Sequence, residues 1–106
     1  MNQIVQIVRH YSQVIDNGRT LRSILDHARG EIDELAEEIT KVEKGEEESA
    51  DGVVGEAIDV IACALDAIFT QRPDITDEEL NAIMTKKCKK WANVYANSPR
   101  KQANGD

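Results

Sequence analysis

The sequence predicts an all-α protein. Helix-forming Ala, Glu, Leu, Lys and Ile dominate the composition, only six Gly and two Pro occur in 106 residues, and aromatic residues amount to 4%. A β-sandwich or barrel needs more turn residues and more β-formers than that. Apolar residues also recur at steps of three and four in four successive segments, the period of helices that bury one face. Four helices with short connections make a four-helix bundle-like protomer in a single domain over residues 1–97, followed by a polar tail over 98–106.

The first helix covers about residues 3–16, with Ile4, Ile7, Val8, Tyr11, Val14 and Ile15 along its stripe. Asp16-Asn17-Gly18 ends it, and Gly18 suits a left-handed cap. Thr20 N-caps a second helix that runs to about Glu43, ahead of Lys44-Gly45. Its apolar stripe is Leu21, Ile24, Leu25, Ala28, Ile32, Leu35, Ile39 and Val42. Residues 45–52 have no periodicity and read as a loop, with Glu46-Glu47-Glu48 as solvated surface. That loop lacks the alternating oxygen ligands of a calcium loop. The third helix, about 53–70, is apolar nearly all round, the pattern of a buried central helix. Arg72-Pro73-Asp74 breaks it, and Thr76-x-x-Glu79 is a capping box that opens the fourth helix. The inner stripe of that helix is Leu80, Ile83, Met84, Cys88, Trp91, Val94 and Tyr95.

Twenty acids against thirteen bases give a net charge of −7. Such a chain repels nucleic-acid backbones and anionic membrane surfaces, so neither polymer nor bilayer is an expected partner. No apolar run approaches the ~20 residues that span a bilayer. Met1-Asn2-Gln3-Ile4 lacks the basic and apolar regions of a secretory signal, and two cysteines, Cys63 and Cys88, make no metal-finger pattern. A reduced, cytoplasmic protein is expected. A chain this short buries only roughly 65% of its unfolded surface, so a homodimer or homotetramer is expected as well. Helix one and the outer faces of helices two and four are its assembly surfaces.

The informative anomaly is acidic. Glu56 and Asp59 sit three apart on the most apolar helix, with Asp66 near the same line, and no basic residue occurs between Lys44 and Arg72. Burying an unpaired carboxylate costs several kcal/mol unless its charge is paired or coordinated. On helix two, Glu31, Glu34 and Glu38 share a face, bordering the apolar stripe because Ile32, Leu35 and Ile39 each lie one position further on. If the two helices pack as neighbours, these acids make an all-oxygen cluster. Oxygen ligands without His or Cys select hard cations, Mg²⁺ or Mn²⁺ before Zn²⁺. A di-iron carboxylate bundle requires Glu-x-x-His pairs. His10 and His27 are preceded at that position by Ile7 and Ile24, so this competitor fails.

The segments Glu31-Ile-Asp-Glu34-Leu35-Ala and Gly55-Glu56-Ala-Ile-Asp59-Val60-Ile61 resemble the MazG-like, all-α nucleoside triphosphate pyrophosphohydrolases. That family's pattern is Glu-x-x-Glu, a spacer, then Glu-x-x-Asp on the next long helix, and the resemblance covers roughly residues 20–95. It implies hydrolysis of a nucleoside triphosphate between its α- and β-phosphates, releasing a monophosphate and pyrophosphate. It also implies that Glu31, Glu34, Glu56 and Asp59 hold Mg²⁺, with Mn²⁺ as an alternative. Many members carry a Glu doublet at the start of the motif, where this chain has Gly30 before Glu31. Glu38, one turn beyond Glu34, is the substitute expected to activate water, with Glu37 as second choice. The resemblance further implies that Lys87 and Lys90 contact phosphates; Trp91 and Tyr95, four apart on the same helix, are candidates to stack on a base.

Each of these residues also has a plainer reading. The lysines suit the C-terminal part of a helix, Trp91 and Tyr95 suit a core, and His27, one turn before Glu31, either supports that acid, touches substrate or is simply a partly exposed residue. No Gly-x-x-x-x-Gly-Lys loop exists, which excludes a P-loop mechanism. Two further readings stay open. One is a narrower hydrolase, of dUTP/dCTP or phosphoribosyl-ATP type; the other is a non-catalytic helical interaction module.

Overall fold

A computed structural model of the chain describes residues 3–15 and 17–97. Over these residues the protein is all-helical, with four helices and no strand: α1 (Gln3–Val14), α2 (Leu21–Glu43), α3 (Gly52–Gln71) and α4 (Asp77–Asn97). Asp16, expected at the end of the first helix, and the polar tail over 98–106 lie outside the described residues. Two compact units divide between Pro73 and Asp74; α1, α2 and α3 belong to the first and α4 to the second. The division falls at the Arg72-Pro73-Asp74 helix break, inside the span over which one domain is expected. No helix among the described residues is long and apolar enough to cross a membrane.

Local chemistry accounts for the helix ends. Thr20 caps α2 by accepting the Ser23 N–H at 3.1 Å, and the Ser23 hydroxyl accepts the Thr20 N–H at 2.9 Å. At the other end Gly45 adopts φ 74°, and the N–H groups of Glu46 and Gly45 reach the carbonyls of Lys41 and Val42 at 2.8 and 3.0 Å. This pairing satisfies carbonyls the helix leaves open, and the left-handed residue it needs is a glycine. Thr76 and Glu79 form the expected reciprocal box at the start of α4, with N–H contacts of 3.0 and 3.1 Å. The acidic run of the loop is not all solvated surface: Glu48 Oε1 accepts the Val53 N–H at 2.8 Å and so caps α3.

Gly52, at the first position of α3, has φ 65°, and a Cβ there would lie 2.7 Å from Glu48 Oε1. A side chain would have to hold a left-handed backbone and also displace the capping carboxylate. Gly52→Ala is therefore expected to cost about 1–2 kcal/mol, read as a lower midpoint in urea.

Within the first unit α3 is central, packing extensively on α2 and less extensively on α1. Phe69 is buried, and the Arg9 guanidinium lies 4.6 Å from the centre of its ring, which ties α1 to α3. Three apolar faces depart from expectation. On α2 the buried or half-buried line is Ile24, Ala28, Glu31, Leu35 and Glu38, whereas Leu25, Ile32 (49% exposed) and Ile39 (41% exposed) face outward. The helix is thus turned so that acids, not the centre of its apolar stripe, meet α3. On α3, expected to be buried all round, Val54, Ile58 and Ile61 are exposed along one line, because α1 and α2 cover only part of its circumference. On α4 the expected inner stripe is exposed from Ile83 to Tyr95, with Leu80 half-buried. An apolar stripe needs an opposing surface, and α4 makes up its unit alone.

Candidate metal centre

The rotation of α2 has a chemical consequence. It brings Glu31 across to Glu56 and Asp59 of α3, and one carboxylate oxygen from each lies within 4.8 Å of the other two. Glu56 is 7% exposed and Glu31 half-buried. Two oxygens in this group, Glu31 Oε1 and Glu56 Oε1, are buried with no hydrogen-bond partner. A buried carboxylate oxygen without a donor is costly, and three like charges at this separation raise the cost further. The arrangement has a direct electrostatic signature. Burial first, then the charges of Glu34, Asp59, Asp51 and Glu31, push the Glu56 carboxyl up to about 7.

A divalent cation answers both defects, since it supplies an electrophile to the orphaned oxygens and offsets the clustered charge. The donor set is all oxygen, which suits Mg²⁺ or Mn²⁺. Glu34 is exposed and stands outside the group of three, although its charge acts on Glu56.

Glu38, the residue expected to activate water, stands outside the group of three and is engaged by other partners. It is 4% exposed, its Oε1 accepts the Ser49 N–H at 2.8 Å, and its Oε2 accepts Lys41 Nζ at 3.1 Å. Lys41 Nζ also donates to Ser49 Oγ at 2.6 Å. The Ser49 N–H and hydroxyl, together with Lys41, outweigh burial and hold the Glu38 carboxyl below its ordinary range. With both oxygens engaged and its basicity lowered, Glu38 latches the loop between α2 and α3. Glu37, the second choice, is exposed.

Asp66 also finds a partner, though not a local one. Its carboxylate accepts from Arg19 Nε and Nη2 at 3.0 and 2.8 Å and from the Ser12 hydroxyl. Arg19 spends its remaining donors on the Ser12 and Ile15 carbonyls and Asn17 Oδ1. Sequence reasoning missed this clamp because 47 positions separate its ends. The capping role of Glu48 had no local signal either, since Glu48 lies in the loop ahead of α3 and outside the first turn, where acids favour a helix.

Beside the cluster, within the same unit, the structure has a cavity of about 400 Å³ whose walls include Asn17, Arg19, His27, Cys63 and Asp66. A second cavity of about 460 Å³ shares those five residues and adds apolar wall from Ile7, Val8, Tyr11, Ile15 and Ala62. Volumes of this order suit a small organic ligand. His27 joins cavity to cluster: it lines both spaces, and its Nε2 lies 2.8 Å from Glu31 Oε2.

Lys87, Lys90 and Trp91 are all exposed on α4, in the other unit, and Trp91 (62% exposed) makes an edge-on ring contact with Tyr95 at 5.9 Å. Glu31, Glu56 and Asp59 are therefore the expected site residues that come together, with Glu34 close by. No family model, curated protein or solved structure matches this chain. The chemistry of the site rests on its own residues.

Proposed function

We propose that the protein is a Mg²⁺-dependent nucleoside triphosphate pyrophosphohydrolase of MazG-like type, cleaving between the α- and β-phosphates. One observation carries the proposal: a buried Glu56, beside Glu31 and Asp59, with an oxygen that no protein group satisfies. Glu31, Glu56 and Asp59 would hold the cation, and Glu34 at the rim would supply the fourth carboxylate. When bound, the ion offers positive charge to the phosphate oxygens and makes the attacked phosphorus more electrophilic. The chain's own residues do the rest. The carboxylates would fix the position of that charge, and the cavity walled by Asn17, His27 and Tyr11 would receive part of the nucleotide. Glu38 has no part in this reading beyond holding the loop. Lys87, Lys90 and Trp91 remain the residues proposed to meet phosphates and base.

A four-helix, MazG-type protomer assembled as a homodimer or homotetramer belongs to the same proposal. Its support is the quantity of apolar surface a single chain leaves in water. Leu25, Ile32 and Ile39 on α2 and Val54, Ile58 and Ile61 on α3 are all exposed, and among the described residues the buried hydrophobics are Ile24, Phe69 and Ile75. So thin a core suits a chain stabilised by association. The net charge of −7 opposes a nucleic-acid polymer but not a nucleotide that arrives with its cation.

The test is a panel of ribo- and deoxyribonucleoside triphosphates incubated with the full chain and Mg²⁺. The expected result is pyrophosphate released in equal amount with the monophosphate. No pyrophosphate from any common triphosphate overturns the enzymatic reading. A metal-independent melting temperature in the same protein would leave a helical interaction module.

A further inference from the structure

Glu31 is the half-buried α2 member of the acid cluster, and nothing in a glutamate's own torsions keeps it there. Its neighbours Glu56 and Asp59 repel it, and a flexible three-torsion side chain on a helix surface relieves such repulsion by swinging into water. The structure instead has it turned inward, its side chain 16% exposed, with Oε1 buried and without a partner. Its other oxygen, Oε2, is 2.8 Å from His27 Nε2. The two residues stand four apart on α2, so they lie on one face at one turn's distance. An ionised carboxylate can only accept, so Nε2 carries a proton and donates it.

We infer that His27 is a positioning residue: its Nε2–H grips Glu31 Oε2 and so keeps Oε1 in the cluster, organising the cation site before the ion arrives. This rests on the cation site of the proposed function and goes beyond it, by naming the group that holds a ligand in place. Hydrogen bonds to the far side of metal ligands act in this way, and their loss weakens metal binding by about 10–100-fold. His27 suits the role because its side chain is 67% exposed and carries little of the packing, so its removal leaves the fold intact.

The experiment compares Mn²⁺ binding by the full chain and two variants at one fixed neutral pH, using the electron spin resonance signal of free Mn²⁺. His27→Ala is expected to bind about tenfold more weakly than the wild type with an unchanged helical circular dichroism signal. His27→Gln, whose amide nitrogen reaches the place of Nε2, is expected to return most of the affinity. Nitrogen-15 spectra of the wild type should show His27 in the Nε2–H form, and Glu31→Ala should release it to a mixture of tautomers. Equal affinity in His27→Ala and wild type overturns the inference and leaves the cation site standing, and so does a His27→Gln variant as weak as His27→Ala. A wild-type protein that binds no Mn²⁺ overturns both.

Discussion

Replacing Glu56 by Gln is expected to abolish turnover and, in the same protein, to raise the melting temperature above neutral pH in metal-free buffer. The two effects have one origin. Glu56 is buried among acids, and its carboxyl is pushed from 4.5 up to about 7, so between those values the folded chain holds a proton that the unfolded chain has lost. Stability then falls as pH rises through that window, and above it the full cost of an ionised, unpartnered Glu56 is borne by the native state. Gln removes that cost at high pH and changes little below the ordinary carboxyl range, so the melting curves of variant and wild type should converge in acid. Adding Mg²⁺ or Mn²⁺ should reverse the order at high pH. The wild type gains melting temperature by binding the ion, and the variant gains much less. Turnover should drop by about a thousandfold or more, the scale on which a cation at a phosphoryl group lowers a barrier. If Glu56→Gln melts lower than wild type at every pH, and metal stabilises neither, the carboxylate serves the fold and the catalytic reading fails.

What could be read from sequence followed the range of the physics. The four helices were legible because periodicity, capping residues and breakers act within a few positions of each other: Thr20 with Ser23, Thr76 with Glu79 and the glycine at 45 all do their work locally. The pairing of Glu31 with Glu56 and Asp59 was legible for a different reason. Acids in an apolar helix are expensive, and an expensive group needs a compensating neighbour. The rotation of α2 was not legible. Counting apolar positions put Leu25, Ile32 and Ile39 at the centre of the buried face, because the count assumes that a helix turns its most apolar side to its own chain. Here the inward line carries Glu31 and Glu38, and the apolar line looks outward. Glu38 shows a related limit. Its spacing matched that of a site residue, but its chemistry was decided by the Ser49 N–H of a loop that has no periodicity to read.

The clamp between Arg19 and Asp66 gives the second large effect, and its sign with pH is opposite to that of Glu56. Burial pushes the Asp66 carboxyl up, but the hydrogen bonds from Arg19 and Ser12 and the Arg19 charge outweigh it, and the net shift is downward. An acid held below its unfolded value contributes stability above about pH 3.8, and the contribution is lost as pH falls through the lower folded value. The pair is about four-fifths buried, so Arg19→Ala leaves a carboxylate with burial and no counter-charge. It should cost about 3 kcal/mol at neutral pH, read from urea midpoints. Asp66→Asn keeps an acceptor for Arg19 and avoids the stranded charge, so it should cost less, and the double variant should fall short of the sum of the two. In acid the difference narrows. Without Arg19 only the Ser12 hydroxyl opposes burial at the Asp66 carboxyl, and the deficit of Arg19→Ala against wild type should shrink as pH falls through the carboxyl range, because the wild type loses the contribution of the pair there. A uniform loss in Arg19→Ala from neutral to acid pH would mean that packing, not the ion pair, joins the α1–α2 connection to α3. The pair also walls both cavities but stands apart from Glu31, Glu56 and Asp59. Its loss should therefore raise the KM for nucleotide while Mn²⁺ affinity stays at the wild-type value, which separates the organic end of the site from its cation.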